Sequence, residues 1–276
     1  MAKMMKIRML ALVCAVFLFV LMPCHAMAQS EVDVLESLED GTTNPADSVP
    51  AAPDDQELTD AELRDEHMNL IPVPEEAIGK TMYPVDAEKE LLPSEDWGDD
   101  MECGEGDMEI PQLFQYDYKS VVCFYDQTPK SVATSGCGAT SMSMVIAYLT
   151  GNTQQSPYTL FRWAVNSDRY EGSGLAHQAL CDIGAMYGVG GQWKKSNEQL
   201  IMAALRQGYP VIAHMGPGQF TNRGHYIVLR GLTEDGKIRV NDPNSLENSM
   251  EVYDFKTIDK QTRTNDPYMI CYKTEE

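Results

Sequence analysis

The charge of the chain changes abruptly between two segments. Only the C-terminal segment has a composition that can form an extensive folded core. Residues 29–109 contain 26 Asp and Glu against three basic residues, whereas residues 110–276 contain 16 acidic and 15 basic residues. A segment as acidic as the first repels itself and buries little apolar surface, so we expect it to be largely disordered. Its charge also argues against binding nucleic acid. The second segment is long enough for one domain with a substantial core.

The N-terminus has the architecture of a secretory signal. Basic residues precede an apolar stretch, residues 9–22, which ends near a small-x-small pattern at residues 26–28. The stretch is shorter than the about 20 apolar residues that a membrane-spanning helix needs. We therefore expect residues 1–28 to be a signal peptide that is removed on export, with lipidation at Cys24 as an alternative. The expected location is extracellular, with retention at the cell surface or in the periplasm as alternatives and no membrane contact after cleavage.

Residues 110–276 show helix patterns first and strand patterns after them. Apolar residues at three-and-four spacing, each series closed by a Gly, predict helices over residues 140–151, 175–188 and 197–208. Runs rich in β-branched residues predict strands over residues 210–215, 225–232, 237–243 and 267–273, with a tight hairpin at residues 234–237. Between residues 118 and 135 we expect a loop. This order indicates an α+β domain with an N-terminal helical part and a C-terminal antiparallel sheet.

Five cysteines follow the signal stretch, and Cys137 differs from the others by its position. Export permits disulfides, and an odd number leaves one thiol free. The other four would form two bridges in any of three connectivities: Cys103, Cys123, Cys181 and Cys271. Cys137 lies at the start of a predicted helix, where orphan backbone N–H groups and the helix dipole favour a thiolate. A buried, inert cysteine is the alternative, which the flanking Gly136 and Gly138 disfavour.

A cysteine nucleophile needs a base, and four histidines follow the signal stretch. His67 lies in the acidic segment and His177 on a predicted amphipathic helix, which argues against both. His214 and His225 lie on predicted strands. Gly224 permits close approach of a backbone or a substrate immediately before His225, so we select His225.

The base in turn needs an acceptor that holds its tautomer. Asn241 and Asp242 end the strand that follows the one with His225, and the hairpin at residues 234–237 returns them toward the level of that histidine. We select Asp242, with a plain turn-forming role before Pro243 as the alternative.

An oxyanion hole requires a donor besides the backbone N–H of Cys137. Gln112, Gln115 and Gln127 precede the nucleophile and are the candidates. Spacing alone does not choose among them, and a plain surface amide is the alternative for each.

Three sequence blocks together resemble the C39-like papain-fold cysteine peptidases, bacterial relatives of the peptidases that process bacteriocin leaders. The blocks are SGCGATSMSMVIAYLTG, LRQGYPVIAHMGPGQFTNRGHYIVLRG and KIRVNDPNS. The resemblance spans about residues 110–272 and has the order Cys, His, Asp. It implies a papain-like fold with Cys137 as nucleophile, His225 as general base and acid, and Asp242 as the orienting residue.

The resemblance also selects among the glutamines. Relatives carry a Gln in an extended segment that opens the domain and is similar to residues 110–118 here, which implies Gln115 as the oxyanion donor. In the leader-processing members this Gln lies closer to the nucleophile, so the resemblance requires an insertion around residues 121–131. Those members are usually fused to a membrane transporter. We therefore do not transfer their specificity for double-glycine leaders to this chain.

We therefore expect a secreted cysteine peptidase that hydrolyses peptide or protein substrates through a thioester acyl-enzyme. A cell-wall peptide amidase or acyltransferase would use the same thiol chemistry, and a non-catalytic binding module is a further alternative. The sequence has no CxxC pair, no HExxH motif and no Gly-rich phosphate loop after a strand, so we expect no cofactor. Residues 29–109 would be a spacer or an intramolecular propeptide, and Thr59 with Glu62 resembles a capping box within them.

Overall fold

The computed structural model describes residues 73–85 and 107–274. The predicted signal peptide at residues 1–28, the Thr59–Glu62 capping box and Cys103 lie outside these residues. Within the part of the chain that the structure describes, no helix has the length and apolar character required to cross a membrane.

The described residues form helices and two antiparallel sheets. The helices are α1 (Val132–Ser135), α2 (Cys137–Thr150), α3 (Pro157–Asn166), α4 (His177–Met186), α5 (Glu198–Arg206), α6 (Leu246–Met250) and α7 (Phe255–Asp259). The strands are β1 (Met82–Pro84), β2 (Val121–Tyr125), β3 (Thr128–Ser131), β4 (Val189–Lys194), β5 (Val211–Met215), β6 (His225–Leu232), β7 (Ile238–Asn241), β8 (Val252–Tyr253) and β9 (Tyr268–Lys273). Short 3-10 turns span Glu75–Ala77 and Gln115–Asp117.

The larger sheet supports the C-terminal half of the fold. Its six strands follow the order β4-β9-β5-β6-β7-β8, and every neighbouring pair is antiparallel. Helix α2 packs on β6, where Ser141 Oγ donates to the carbonyl of Tyr226 at 3.3 Å. Met142, Val145 and Ile146 of α2 are fully buried, and burying each such side chain contributes about 1.5–3 kcal/mol. The core therefore lies between this helix and the sheet.

The predicted helices and strands of the C-terminal part are present. Helix α2 ends where expected, with Gly151 in the left-handed region at φ 70°. Helices α4 and α5 and strands β5, β6, β7 and β9 also form at the predicted positions. The α+β class is confirmed.

Helix α3 and strand β4 were not predicted. The signal for α3 was present, because Ser156 caps it by accepting from Thr159 N at 3.2 Å and Pro157 occupies the first helical position. Strand β4 contains Gly190 and Gly191, which have low strand propensity. This segment forms a strand because it pairs with β9, which lies far away in the chain. The local sequence does not reveal that pairing.

The predicted loop between residues 118 and 135 is wrong, because strands β2 and β3 form a hairpin there. Asp126 and Gln127 make the turn at φ 46° and 64°. These residues lack the glycine that usually identifies such a turn in sequence, so the hairpin was missed. It occupies residues 121–131, the segment where the resemblance required an insertion.

The acidic segment contributes more structure than its composition predicts. Strand β1 pairs with β2 to complete the small sheet. The buried Asp107 carboxylate forms ion pairs with Arg230 at 3.1 Å and Arg239 at 3.0 Å. The two arginines thus compensate the negative charge of Asp107. Residues 73–85 and 107–109 therefore belong to the fold. The rest of residues 29–109 lies outside the described residues.

Four cysteines are described, and all are free thiols: Cys123, Cys137, Cys181 and Cys271. The expectation of two bridges therefore fails for any pairing among the described cysteines. Burial raises the pKa of Cys123 to about 12 and raises the pKa of Cys271 above its usual range. Such thiols are unreactive at neutral pH.

Candidate active site

Cys137 is the first residue of α2, so its sulfur lies at the positive end of that helix. The preceding residue, Gly136, is the N-cap and has no side chain to satisfy the free N–H groups of the first turn. A Cβ on Gly136 would lie 2.5 Å from Val132 Cγ1, so glycine is needed where α1 passes into α2. Cys137 is partly exposed and can be reached by a substrate. The sulfur therefore lies beside free backbone N–H groups at the positive end of the helix dipole.

His225 begins β6 and bridges Cys137 to Asp242. Its Nε2 lies 2.7 Å from Asp242 Oδ1, and Cys137 lies close enough to contribute to the electrostatics of the imidazole. Because Nε2 faces the carboxylate, Nδ1 is the ring nitrogen left for the thiol. Burial of the imidazole opposes its protonated form. The hydrogen bonds and charges of Asp242 and Cys137 outweigh burial and raise the pKa of His225 to about 10.

Asp242 is fully buried and accepts hydrogen bonds through both carboxylate oxygens. Besides His225, Oδ1 accepts from the backbone N of Asn244 at 2.8 Å, and Oδ2 accepts from Asn248 Nδ2 at 2.7 Å. Its own backbone N donates to Ser249 Oγ at 2.8 Å. Asn241, the other candidate, instead donates to the carbonyl of Ile110 at 3.1 Å. The structure therefore brings Asp242, and not Asn241, to the histidine.

Asn248 is a residue of this site that sequence reasoning missed. It lies in α6, the short helix after Asp242, where Ser245 Oγ accepts from its backbone N at 3.1 Å. Ser245 three residues before it was a recognisable N-cap signal. That signal predicts a helix start, but it does not predict that the Asn248 side chain turns toward the carboxylate.

The three candidate glutamines have different surroundings. Gln115 is buried, and its Nε2 donates to the carbonyl of Ala133 at 2.9 Å, in the helix that leads into Cys137. Gln112 is also buried, and its Nε2 donates to the carbonyl of Asp242 at 3.1 Å. Gln127 is exposed at the tip of the β2–β3 hairpin. Gln115 is therefore the glutamine whose side chain contacts α1, the helix that leads into Cys137.

Two further histidines lie beside this site, although the sequence placed neither in it. His177 Nε2 and His214 Nδ1 are 2.9 Å apart. The ring of His177 stacks on Trp193 with centroids 3.6 Å apart, and that of His214 stacks on Tyr226 at 4.4 Å. Burial lowers the pKa of His177 to about 4. Burial, with the nearby His177, Arg263 and His225, lowers the pKa of His214 to about 3.

A polar cavity of about 300 Å³ opens beside His225. It is lined by His225, Asn244 and the loop of residues 218–223. His225 therefore lies at the edge of a space that can hold part of a ligand. Residues 73–85 and 107–274 contain no group of three or more His, Cys, Asp or Glu side chains arranged to hold a metal ion.

Comparison with protein-family models shows which family the chain belongs to. The model of the Peptidase_C39 like family matches residues 109–268, more than half of the sequence. The chain belongs to this family. The resemblance found in the sequence is thereby confirmed, and membership of the C39-like family indicates a cysteine peptidase.

Several solved structures are similar to this C39-like protein. The peptidase domain of Streptococcus ComA, a bi-functional ABC transporter involved in a quorum sensing pathway, is 16% identical with a TM-score of 0.40, over 51% of this chain and 93% of that domain. A putative C39-like peptidase from Bacillus anthracis is 14% identical with a TM-score of 0.43, over 61% and 97%. A double glycine motif protease from an AMS/PCAT transporter, in complex with the leader peptide, is 20% identical with a TM-score of 0.38, over 61% and 95%. A search of curated proteins gave no match.

Proposed function

We propose that this protein is an exported cysteine peptidase that hydrolyses peptide bonds through a thioester acyl-enzyme. The observation that supports this most directly is the position of His225, which lies near Cys137 and contacts the buried Asp242 at 2.7 Å. Cys137 is the nucleophile, His225 the general base and acid, and Asp242 the residue that orients the imidazole. Export rests on the signal architecture of residues 1–28, and N-terminal sequencing of the secreted protein tests it.

The resting site holds a thiolate next to an imidazolium. The helix terminus stabilises the negative sulfur, and the raised pKa of His225 keeps the proton on the ring at neutral pH. The thiolate of Cys137 therefore attacks a peptide carbonyl without first having to lose a proton. A carbon–sulfur bond forms and the carbonyl oxygen becomes an oxyanion.

The oxyanion needs donors that are fixed before the reaction. The backbone N–H of Cys137 lies at the start of α2, and Gln115 supplies the second donor. The Nε2 of Gln115 has two N–H groups, and one of them donates to the carbonyl of Ala133. That contact fixes the amide plane and leaves the other N–H for the oxyanion.

The next steps return the site to its starting state. His225 donates its proton to the leaving amine as the carbon–nitrogen bond breaks, which leaves the acyl group on Cys137. The neutral imidazole then takes a proton from water, which attacks the thioester. The acid product departs, and the thiolate and imidazolium are restored. The hydrogen bond with Asp242 holds the ring in one orientation through both proton transfers.

A thiol-directed probe tests this proposal without knowledge of the substrate. The full chain is treated with limiting iodoacetamide across pH 4–9, and mass spectrometry measures labelling at each cysteine. Cys181 is a matched internal control, because it is also partly exposed but burial raises the pKa of its thiol. Labelling of Cys137 should be much faster than that of Cys181 and should persist below pH 7. Equal rates at the two thiols would overturn the proposal.

Peptide hydrolysis is then measured on an unbiased peptide library, with cleavage sites identified by mass spectrometry. Cleavage should disappear in Cys137→Ser. The Gln115→Ala variant should retain thiol reactivity but lose peptide turnover by about 10²-fold, because the oxyanion forms only with a carbonyl substrate. Equal loss of both readouts would assign Gln115 a structural role only.

A further inference from the structure

Two nitrogen donors converge on the open side of Gly224, the residue immediately before the proposed base. Gly224 is exposed. A Cβ built on it would lie 3.0 Å from Arg263 Nη1 and 3.7 Å from His214 Nε2. Both nitrogens therefore lie close to the exposed Gly224, the residue that precedes His225.

Arg263 is held at this position by its backbone. Its N donates to the carbonyl of His214 at 2.8 Å, and the preceding Thr262 pairs with Met215, the strand partner of His225. Its guanidinium makes one long hydrogen bond, from Nη1 to the carbonyl of Arg223 at 3.4 Å. Among the described residues, no carboxylate forms an ion pair with Arg263. The site thus has a cation whose charge the described part of the protein does not pair.

His214 is arranged to add a neutral donor to this cation. Its Nδ1 faces His177 Nε2 at 2.9 Å, which leaves Nε2 on the side of Gly224. When His177 donates to Nδ1, the proton of His214 lies on Nε2, on the side of Gly224. Stacking on Tyr226 fixes the ring, and burial keeps it neutral at pH 7.

The position of these donors relative to the base determines which part of a substrate they contact. In the proposed reaction, the leaving amine takes its proton from His225 and departs on the side of that residue. Gly224 adjoins His225 in the chain, so a substrate group bound beside Gly224 would lie near the imidazole that protonates the leaving amine. A carboxylate is the peptide group that pairs with a guanidinium and also accepts from an imidazole N–H.

We propose that Arg263 and His214 form an anion subsite that binds a carboxylate of the substrate directly after the scissile bond. The inference rests on the proposed peptidase function, because it uses His225 to define the leaving side. The carboxylate is either the C-terminus of a short leaving peptide or an acidic side chain next to the cleaved bond. His177 is a positioning residue that sets the tautomer of His214.

The test uses alkylating reagents that carry the carboxylate on the leaving side of Cys137. N-iodoacetyl-glycine is compared with N-iodoacetyl-glycinamide to represent a C-terminal carboxylate. N-iodoacetyl-glutamic acid α-amide is compared with the corresponding glutamine reagent to represent an acidic side chain. For each pair, the rate at Cys137 of the full chain is divided by the rate at a free cysteine peptide. In at least one pair, the normalised labelling rate of the acid should be about tenfold or more above that of its amide.

Variants then assign the preference to its residues. Arg263→Gln should reduce the acid-to-amide ratio to about one, His214→Gln should reduce it several-fold, and Arg263→Lys should retain part of it. Arg206→Gln, the same change at an exposed position at the end of α5, should not alter the ratio. The preference should also shrink in about 0.5 M salt, which tests it without a substitution.

The outcomes separate this inference from the proposed function. If the neutral amide reagents label Cys137 no faster than Cys181, the peptidase proposal fails and the subsite fails with it. If labelling by amides is rapid and depends on His225, but the acid-to-amide ratio is near one or is unchanged in Arg263→Gln, the subsite alone is overturned.

Discussion

Two histidines on neighbouring strands of one sheet illustrate how differently this fold uses the same side chain. His225 on β6 pairs with Met215 on β5, and His214 pairs with Tyr226, so the two are one register step apart. Burial opposes the charged form of both rings. Yet the pKa of His225 is raised to about 10, whereas that of His214 is lowered to about 3.

The partner of each ring explains the difference. His225 faces the Asp242 carboxylate and lies near Cys137, and together these two groups stabilise a positive imidazolium by more than burial destabilises it. His214 faces the ring of His177, which offers no negative charge, and Arg263 lies nearby. One histidine is therefore suited to hold and transfer a proton beside the thiol, and the other to remain a neutral donor.

Removal of His225 should have the largest effect. His225→Gln removes the cation beside Cys137 and the group that transfers the proton, so alkylation and peptide cleavage should each fall by about 10²–10⁴-fold. His67→Gln is the matched control, since it makes the same change in the acidic segment. Rapid labelling of Cys137 in His225→Gln would mean that the helix terminus alone activates the thiol.

Removal of the carboxylate should make His225 resemble His214. Asp242→Asn keeps the size of the side chain but removes its charge, so the pKa of His225 should fall from about 10 toward or below its ordinary value of about 6.5. Titration of the ring by NMR measures this directly. The substitution should also cost about 3 kcal/mol of unfolding free energy at pH 6.

The pH dependence of stability tests whether folding raises the pKa of His225. Because folding raises the pKa of His225, its stabilising contribution is fully present below about pH 6.5 and is lost as pH rises through about 10. The wild type should therefore lose stability between pH 7 and 10, and Asp242→Asn should lose less over that range. Parallel denaturation curves for the two proteins would contradict the proposed ion pair.

Asn248 should have an intermediate effect, since it acts on the histidine only through Asp242. Asn248→Ala removes the donor at 2.7 Å from Oδ2 and leaves that oxygen buried without it, at a cost of about 2 kcal/mol. Asn244→Ala should cost less, because its contact with Oδ1 comes from the backbone N, which alanine retains. Urea denaturation ranks the two variants, and the reverse order would show that the Asn248 contact is weak.

The parts of this comparison that the sequence could predict are local. Cys137 at a helix start, Gly224 before His225, and the hairpin that returns Asp242 each follow from patterns within a few residues. The contact of His177 with His214 joins residues 37 apart and depends on how α4 packs on the sheet, so no periodicity reveals it. The direction of the Asn248 side chain depends on packing in the same way.

The smallest effect should come from giving His214 a partner like that of His225. His177→Glu places a carboxylate where the second imidazole lies, and Glu is long enough to reach His214 Nδ1. The pKa of His214 should rise from about 3 by about one pH unit or more, as NMR titration of the ring would show. His177→Gln, which lacks the charge, is the control and should raise it less. If both variants titrate like the wild type, burial and Arg263 dominate at His214, and the difference between the two histidines would not arise from their partners alone.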